Sequence, residues 1–479
     1  MPLSRFQPTM TTVLRRQLHS TPVPRAPSRL RGFLNLLGSA LASDDRINPK
    51  RMLERRYLYF ALTVLRYRAL RLEYPDTDTQ DLRLQAVEDL HGREKVDDKS
   101  NAELRMAMQK ALTPQVLDIF QTFAAVDETI FPSTKQAPET TQEFFDSLDW
   151  PYLHDVLRQE AADTRLQLDK AKQLASHISN NNNNNNNNNN RTNQSLPFLQ
   201  IKIGALDTLL HYHQLRNDPP APSNRLDFFG MDMDNVAPAK LPIIRQYQTI
   251  NMCRSALIRQ SALGYSVLSL RSTLDGAGRG TFIDGDGATT GSLVAFQPGD
   301  IWPKEHLLTD APEVMEHFAS DEGDEDCQTS LRFDEFVLDS RTAPVTILSR
   351  EGSLNPWALG HMVNHPQAGE LPNAQSLMLD FTEKMNLREL TRYIPNVYAR
   401  EPGWQSRAFD PEPVVMHSMC LLARKDVQNE ELFYDYRLQS DQTPEWYHTV
   451  SYGDEFLDNE QVVFFRDDWR KDKDERNSE

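Results

Sequence analysis

Cysteine, long apolar runs and excess positive charge are all scarce in this chain, and each scarcity excludes something. It has three cysteines, Cys253, Cys327 and Cys420, far apart and never in a Cys-x-x-Cys pair. A structural zinc site wants four ligands at short spacings and a disulfide framework wants paired cysteines, so neither is expected and the thiols are read as reduced. No run of about 20 apolar residues exists, the length a membrane-crossing helix needs. The nearest candidate, Tyr57–Leu65, is short and flanked by Arg55, Arg56 and Arg66. The formal net charge of −17 argues against a nucleic-acid-binding face, which needs clustered Lys and Arg. An acidic surface suits a basic peptide partner, and it equally suits plain solubility.

Acidic residues are themselves missing before Asp44, where Arg5, Arg15, Arg16, Arg25, Arg29 and Arg31 mix with Ser and Thr. Such a leader, residues 1–43, has the composition of a mitochondrial transit peptide, and Arg15–Ser20 looks like its processing site. A disordered basic tail on a nuclear or cytoplasmic protein has the same composition. From 44 to 178 the pattern is helical, with Leu53, Tyr57, Phe60, Val64 and Tyr67 on one face. Asp149-Trp150-Pro151 marks a boundary, because proline disfavours helix in the residue before it. The asparagine run Asn180–Asn190, within a low-complexity segment at 179–195, buries nothing apolar and is expected to be disordered. Residues 196–260 read as a helix over Leu199–His213 and a linker at Pro219–Pro222. His211 and His213 sit at i, i+2, which do not share a helix face, and are read as surface histidines rather than ligands.

Beyond Leu263 the pattern changes. Short β-prone runs at Gly280–Ile283, Leu293–Phe296, Pro344–Leu348, Ser376–Phe381 and Val414–Ala423 alternate with Gly, Pro, Asp and Asn. That spacing predicts a compact, mostly β region over 261–440, with an exposed acidic loop at Ser320–Asp326 and a charged C-terminal segment at 441–479. Three segments in it stand out. Gly278-Arg279-Gly280 is by itself a tight turn, whose glycines let backbone approach a neighbour closely. Gly360-His361-Met362-Val363-Asn364-His365-Pro366 leads to Leu371-Pro372-Asn373. Asn429-Glu430-Glu431-Leu432-Phe433-Tyr434-Asp435-Tyr436 closes the region.

In this order the three segments resemble the SET domain of protein methyltransferases: a Gly-x-Gly turn, an Asn-His…Pro-Asn segment, then Glu-Leu-x-x-Asp-Tyr. Ser261–Val267, Asn355–Asn364 and Arg392–Tyr398 look like the group named SET domain-containing protein nine. The resemblance covers roughly residues 260–440 and leaves the helical half unexplained. Together with the helical pattern before it, it gives an α+β chain, with an N-terminal helical region followed by a mostly β SET domain. In that domain the third segment passes through a loop made by the second, in a knot-like active site. It also implies direct methyl transfer from S-adenosylmethionine to a lysine of a protein or peptide substrate. Nucleic acid and membrane are not expected as partners; the oligomeric state is left open.

By the same resemblance, Gly278, Arg279 and Gly280 lie beside the cofactor's methionine part, and Asn364 and His365 hold the cofactor by hydrogen bonds. Tyr436 is the catalytic tyrosine. Tyr434 occupies the position where SET enzymes carry Phe or Tyr, a Tyr limiting how many methyls are added. Trp446 stacks on the adenine or packs at the domain edge. The chemistry needs no metal. It needs donor and acceptor aligned, which supplies a large part of the rate, and a lysine that has lost its proton, which desolvation in a narrow channel favours.

The chain departs from the family pattern after His365. Many SET domains read Asn-His-Ser-Cys-x-Pro-Asn, whereas here Pro366 replaces the Ser, no Cys follows, and Gln367–Leu371 separate the two halves. That departure motivates the rival expectation of a catalytically inactive SET-like scaffold. Gly285–Ser292 is Gly-rich but lacks the Gly-Lys-Ser/Thr ending of a phosphate-binding loop, and Asp284 and Asp286 lack the other ligands of a calcium loop. Cys420, in an apolar run, is expected to be a buried structural thiol.

Overall fold

A computed structural model of the protein describes residues 49–131, 141–180, 186–215, 227–231, 236–303, 305–306, 329–341, 355–403, 413–437, 446–448 and 450. The leader, the Pro219–Pro222 linker, the Ser320–Asp326 loop, the Pro344–Leu348 run, Cys327 and most of the C-terminal segment lie outside the described residues.

The chain is mixed α+β, with a helical N-terminal region followed by a sheet-rich part. Helix α1 (Pro49–Glu73) is rich in Leu, Arg and Ala, good helix formers, and stops ahead of Tyr74-Pro75. Helix α2 (Thr79–Glu88) is capped by Asp78, whose carboxylate accepts from the Gln80 N–H at 2.8 Å. Helix α3 (Asn101–Ile130) opens on a capping box between Ser100 and Glu103. Then come α4 (Thr141–Asp146), α5 (Trp150–Asn180), α6 (Asn186–Leu215) and α7 (Leu241–Arg259). The Asp149–Pro151 boundary is the start of α5, with Pro151 in its first turn, where its missing N–H costs nothing.

Two expectations for this half need correction. The line Leu53–Tyr57–Phe60 is not the buried face of α1, since Leu53 is 41% exposed and Tyr57 and Phe60 are half-buried. Leu58, Ala61, Leu62, Val64 and Leu65 are buried instead, while Tyr67 and Leu70 meet Leu82 and Ala86 of α2. The helix is packed on more than one side, so no single stripe describes it. The asparagine run is also not without structure throughout. Helix α5 ends at Asn180 and α6 already begins at Asn186, continuous with the packed stretch around Phe198 and Leu199.

The sheet-rich part holds three small sheets. Strands β1 (Tyr265–Arg271) and β2 (Arg279–Gly285) form an antiparallel hairpin. Strands β3 (Leu293–Gln297), β7 (Ala374–Thr382) and β9 (Val414–Ala423) form an antiparallel sheet in the order β3-β9-β7. Strands β4 (Gly299–Trp302), β5 (Thr329–Leu331), β6 (Val337–Asp339) and β8 (Asn396–Tyr398) form the third, with β8 parallel to β4.

Helix α3 joins the two halves. Phe120 and Phe123 pack on Phe296, Phe381, Trp357 and Tyr393 from the sheet-rich part. Two glutamines of α3 satisfy the outer strands. Gln109 donates to the Asp380 carbonyl at 2.6 Å and accepts from its N–H at 3.1 Å. Gln115 does the same between the Gly291 carbonyl and the Leu293 N–H, at 3.0 and 2.9 Å. Each amide thus takes the place of a neighbouring strand on an open edge. A single cluster of buried apolar residues accordingly runs from Leu58 in α1 to Leu432.

Candidate functional site

The three segments marked out in the sequence converge. The segment around Leu432 runs beside β2, with the Leu432 N–H donating to the Thr281 carbonyl at 2.7 Å and the Ile283 N–H to the Glu430 carbonyl at 3.1 Å. Its other side meets the second segment. The Tyr434 N–H donates to the Asn364 carbonyl at 3.0 Å, and the Ala374 N–H to the Phe433 carbonyl at 2.9 Å. Asn373 fastens the same stretch with its side chain, donating to the Glu431 carbonyl and accepting from the Phe433 N–H, both at 2.7 Å.

Glu431 is the hub. Its buried carboxylate accepts from the Ser272 hydroxyl at 2.7 Å, the Thr273 N–H at 2.7 Å, the Thr273 hydroxyl at 2.5 Å and Asn364 Nδ2 at 3.0 Å. Four donors around one carboxylate satisfy most of its acceptor capacity, which a buried charge requires. Gly280 is part of this arrangement, because a Cβ there would lie 2.1 Å from Glu431 Oε1. Gly278, in the left-handed region at φ 68°, turns the chain into β2. Asn364 Nδ2 also donates to the Arg279 carbonyl at 2.8 Å. The turn, the Asn-His pair and the final segment therefore meet at Glu431 and Asn364.

His365 is buried beside this hub. Its Nε2 lies 2.8 Å from the His448 carbonyl and its Nδ1 accepts from the Tyr436 N–H at 3.3 Å. A carbonyl only accepts, so these partners assign the ring proton to Nε2. Tyr436 donates its hydroxyl hydrogen to the Val363 carbonyl at 3.0 Å, and its ring centroid is 4.9 Å from that of Tyr434. Trp446 meets Tyr436 edge-on at 6.2 Å and is 49% exposed, which leaves a face open at the edge of the cluster.

Arg279 gives the neighbourhood a positive charge, beside an uncharged His361. Burial pulls the Arg279 pKa down, and the opposing charge is Asp227, already paired with Arg245 at 2.9 Å. Burial and then Arg279 push the His361 pKa down to about 4, and its buried Nδ1 has no hydrogen-bond partner among the described residues. A ligand carrying an anionic group would find a cation here with little local neutralisation.

Sequence reasoning missed Glu431, Asn373 and His361 as functional candidates, although each lay inside a quoted motif. Glu431 accepts from Ser272 and Thr273, about 158 residues earlier, and no local sequence signal marks that pairing. His213 needs correction. It is half-buried, with its ring 4.3 Å from that of His154 and its Nε2 2.8 Å from the Thr249 hydroxyl. Burial and then His154 lower its pKa to about 4. Its face of α6 meets α5 and α7, which spacing between two histidines could not reveal.

Two other features fall outside the site. Asp334, Asp380 and His417 lie within metal-ligand reach of one another, but buried Arg332 takes the two carboxylates at 2.7 and 2.6 Å. An open cleft on α2 is lined by Asp81, Gln85, Glu88, Asp89 and Arg93 and shares no residue with the site. Cys253 and Cys420 are buried, and burial raises both thiol pKa values, that of Cys420 to about 12. Neither is poised as a nucleophile. No described helix is long and apolar enough to cross a membrane. No family model matches the sequence, and neither a curated protein nor a solved structure matches it.

Proposed function

We propose that the chain is an S-adenosylmethionine-dependent protein-lysine methyltransferase of the SET type, with a knot-like site around Glu431. The observation that carries this is the convergence of Gly278–Gly280, Asn364–His365 and Tyr434–Tyr436, three segments distant in sequence, through the hydrogen bonds of Asn364 and His365.

Arg279 and the aromatic cluster suit the cofactor. Arg279, with the unpartnered His361 Nδ1 nearby, suits an α-carboxylate. Tyr434, Tyr436 and the half-exposed Trp446 offer ring faces to a cationic sulfur and a purine. When bound, S-adenosylmethionine supplies a methyl group on cationic sulfur, open to in-line attack by an amine. The Tyr436 hydroxyl, its hydrogen committed to Val363, keeps oxygen lone pairs to orient a lysine N–H. Tyr434 narrows the same space, and desolvation in a narrow channel favours a lysine in its uncharged, nucleophilic form.

A second function, a SET-like scaffold without catalysis, is favoured by one observation. Both ring nitrogens of His365 and the side-chain donors of Asn364 are already engaged within the protein. Binding of S-adenosylmethionine separates the two. A methyltransferase is stabilised by about 2.7 kcal/mol when the cofactor is present at about a hundred times its Kd, seen as a rise in Tm. An unchanged Tm, together with no heat of binding in calorimetry, supports the scaffold.

A further inference from the structure

The N-terminal helical half reaches the end of the catalytic segment at Arg437. Arg437, the residue after Tyr436, has a left-handed backbone with φ 53°. A non-glycine residue holds that conformation only when its surroundings over-determine it. Its Nε is buried without a hydrogen-bond partner among the described residues, and Asp435 lies 3.9 Å away, too far for a good hydrogen bond. What meets the guanidinium is the ring of Tyr57 on α1, with Cζ 3.7 Å from the ring centroid. Phe333 lies against that ring at 5.7 Å, and the Gln375 side chain reaches the Tyr57 hydroxyl. Tyr57 is thus fixed from the sheet-rich part and presents its face to Arg437.

From Arg437 the contacts lead into the site. The Arg437 N–H donates to Asp435 Oδ1 at 3.0 Å, and the N–H of Tyr436 between them donates to His365 Nδ1 at 3.3 Å. We propose that Tyr57 is a positioning residue, whose cation–π hold on Arg437 pins the end of the Asp435–Arg437 turn and so sets Tyr436 against His365. This rests on the methyltransferase function for its kinetic consequence, while its structural part stands apart from it.

The test uses the full-length protein with Tyr57→Ala, Tyr57→Phe and Arg437→Gln. Hydrogen exchange at the Tyr436 amide is measured together with methyl-transfer kinetics. Tyr57→Ala and Arg437→Gln are each expected to speed exchange at Tyr436 about tenfold, the scale of a partly desolvated cation–π contact. Exchange across β7 stays at the wild-type rate. In Tyr57→Ala, kcat falls about tenfold, while cofactor KM moves by less than about twofold. Tyr57→Phe keeps the ring and restores both. Wild-type exchange at Tyr436 in Tyr57→Ala and Arg437→Gln, or a failure of Tyr57→Phe to restore it, overturns the proposal. If Tyr57→Ala fails to fold, Arg437→Gln decides alone. A wild type that neither binds cofactor nor transfers methyl overturns the methyltransferase function instead, and the exchange result still decides the role of Tyr57.

Discussion

The side-chain amide of Asn364 donates to Glu431 Oε1 at 3.0 Å, tying together segments 67 residues apart. Ser272, Thr273 and Asn364 all aim hydrogens at the Glu431 carboxylate. In Glu431→Gln one acceptor becomes a donor that faces them. The expected loss is about 1–3 kcal/mol, the cost of leaving a buried donor unpaired. Urea unfolding should show a lower midpoint with an unchanged slope. A midpoint equal to wild type would show that the hub does not hold the segments together.

Lys202 on α6 is almost fully buried between Glu160 at 2.5 Å and Asp284 at 2.7 Å, joining α5 and β2. Such a cluster is weak support for net stability, but breaking it is costly. Lys202→Met strands two buried carboxylates, with Arg259 near both, and is expected to destabilise by about 3–5 kcal/mol in chemical denaturation. A loss below about 1 kcal/mol would mean that water or Arg259 takes over the lysine's role.

The same cluster sets a pH dependence. Burial alone would raise the Glu160 pKa, but Lys202 and Arg259 outweigh it and hold the carboxyl below its ordinary 4.5. The folded pKa is thus below the unfolded one. The stability from Glu160 is fully present above about pH 4.5 and is lost as pH falls through the folded pKa. Replacing Lys202 by Met removes one of the two charges that keep Glu160 ionised. Stability measured from pH 6 downward is then expected to fall less steeply below about 4.5 than in wild type. Parallel curves would contradict that assignment.

Much of the sheet-rich part was legible because its strands carry continuous apolar runs. β9 begins and ends where Val414–Ala423 predicted, and β3 and β7 match their runs to within a residue or two. β1 and the four-stranded sheet were not foreseen. The strands of that sheet are three or four residues long and gain their identity from pairing, as β8 does along β4. The motif residues were visible as letters, but their partners were not. Nothing local to Glu431 says that Ser272 and Thr273 lie opposite it, or local to Tyr57 that Arg437 does. Those relations are tertiary, and periodicity carries no information about them.

The two tyrosines of the last segment divide the proposed work between them. With Tyr434 beside Tyr436 at 4.9 Å, wild type is expected to give mainly mono- or dimethyl-lysine. Tyr434→Phe removes one hydroxyl from the channel and is expected to shift the product toward higher methylation, read by mass spectrometry of the modified peptide. An unchanged product distribution would remove Tyr434 from that role.

The most direct measurement is transfer of labelled methyl from S-adenosylmethionine to a panel of lysine-bearing proteins, comparing wild type with Tyr436→Phe at matched, folded concentrations. Losing a catalytic hydroxyl is expected to cut incorporation by about a hundredfold or more, with cofactor binding kept. Equal incorporation by the two proteins, or cofactor binding by neither, would contradict the assignment of Tyr436 as the catalytic tyrosine of a lysine methyltransferase.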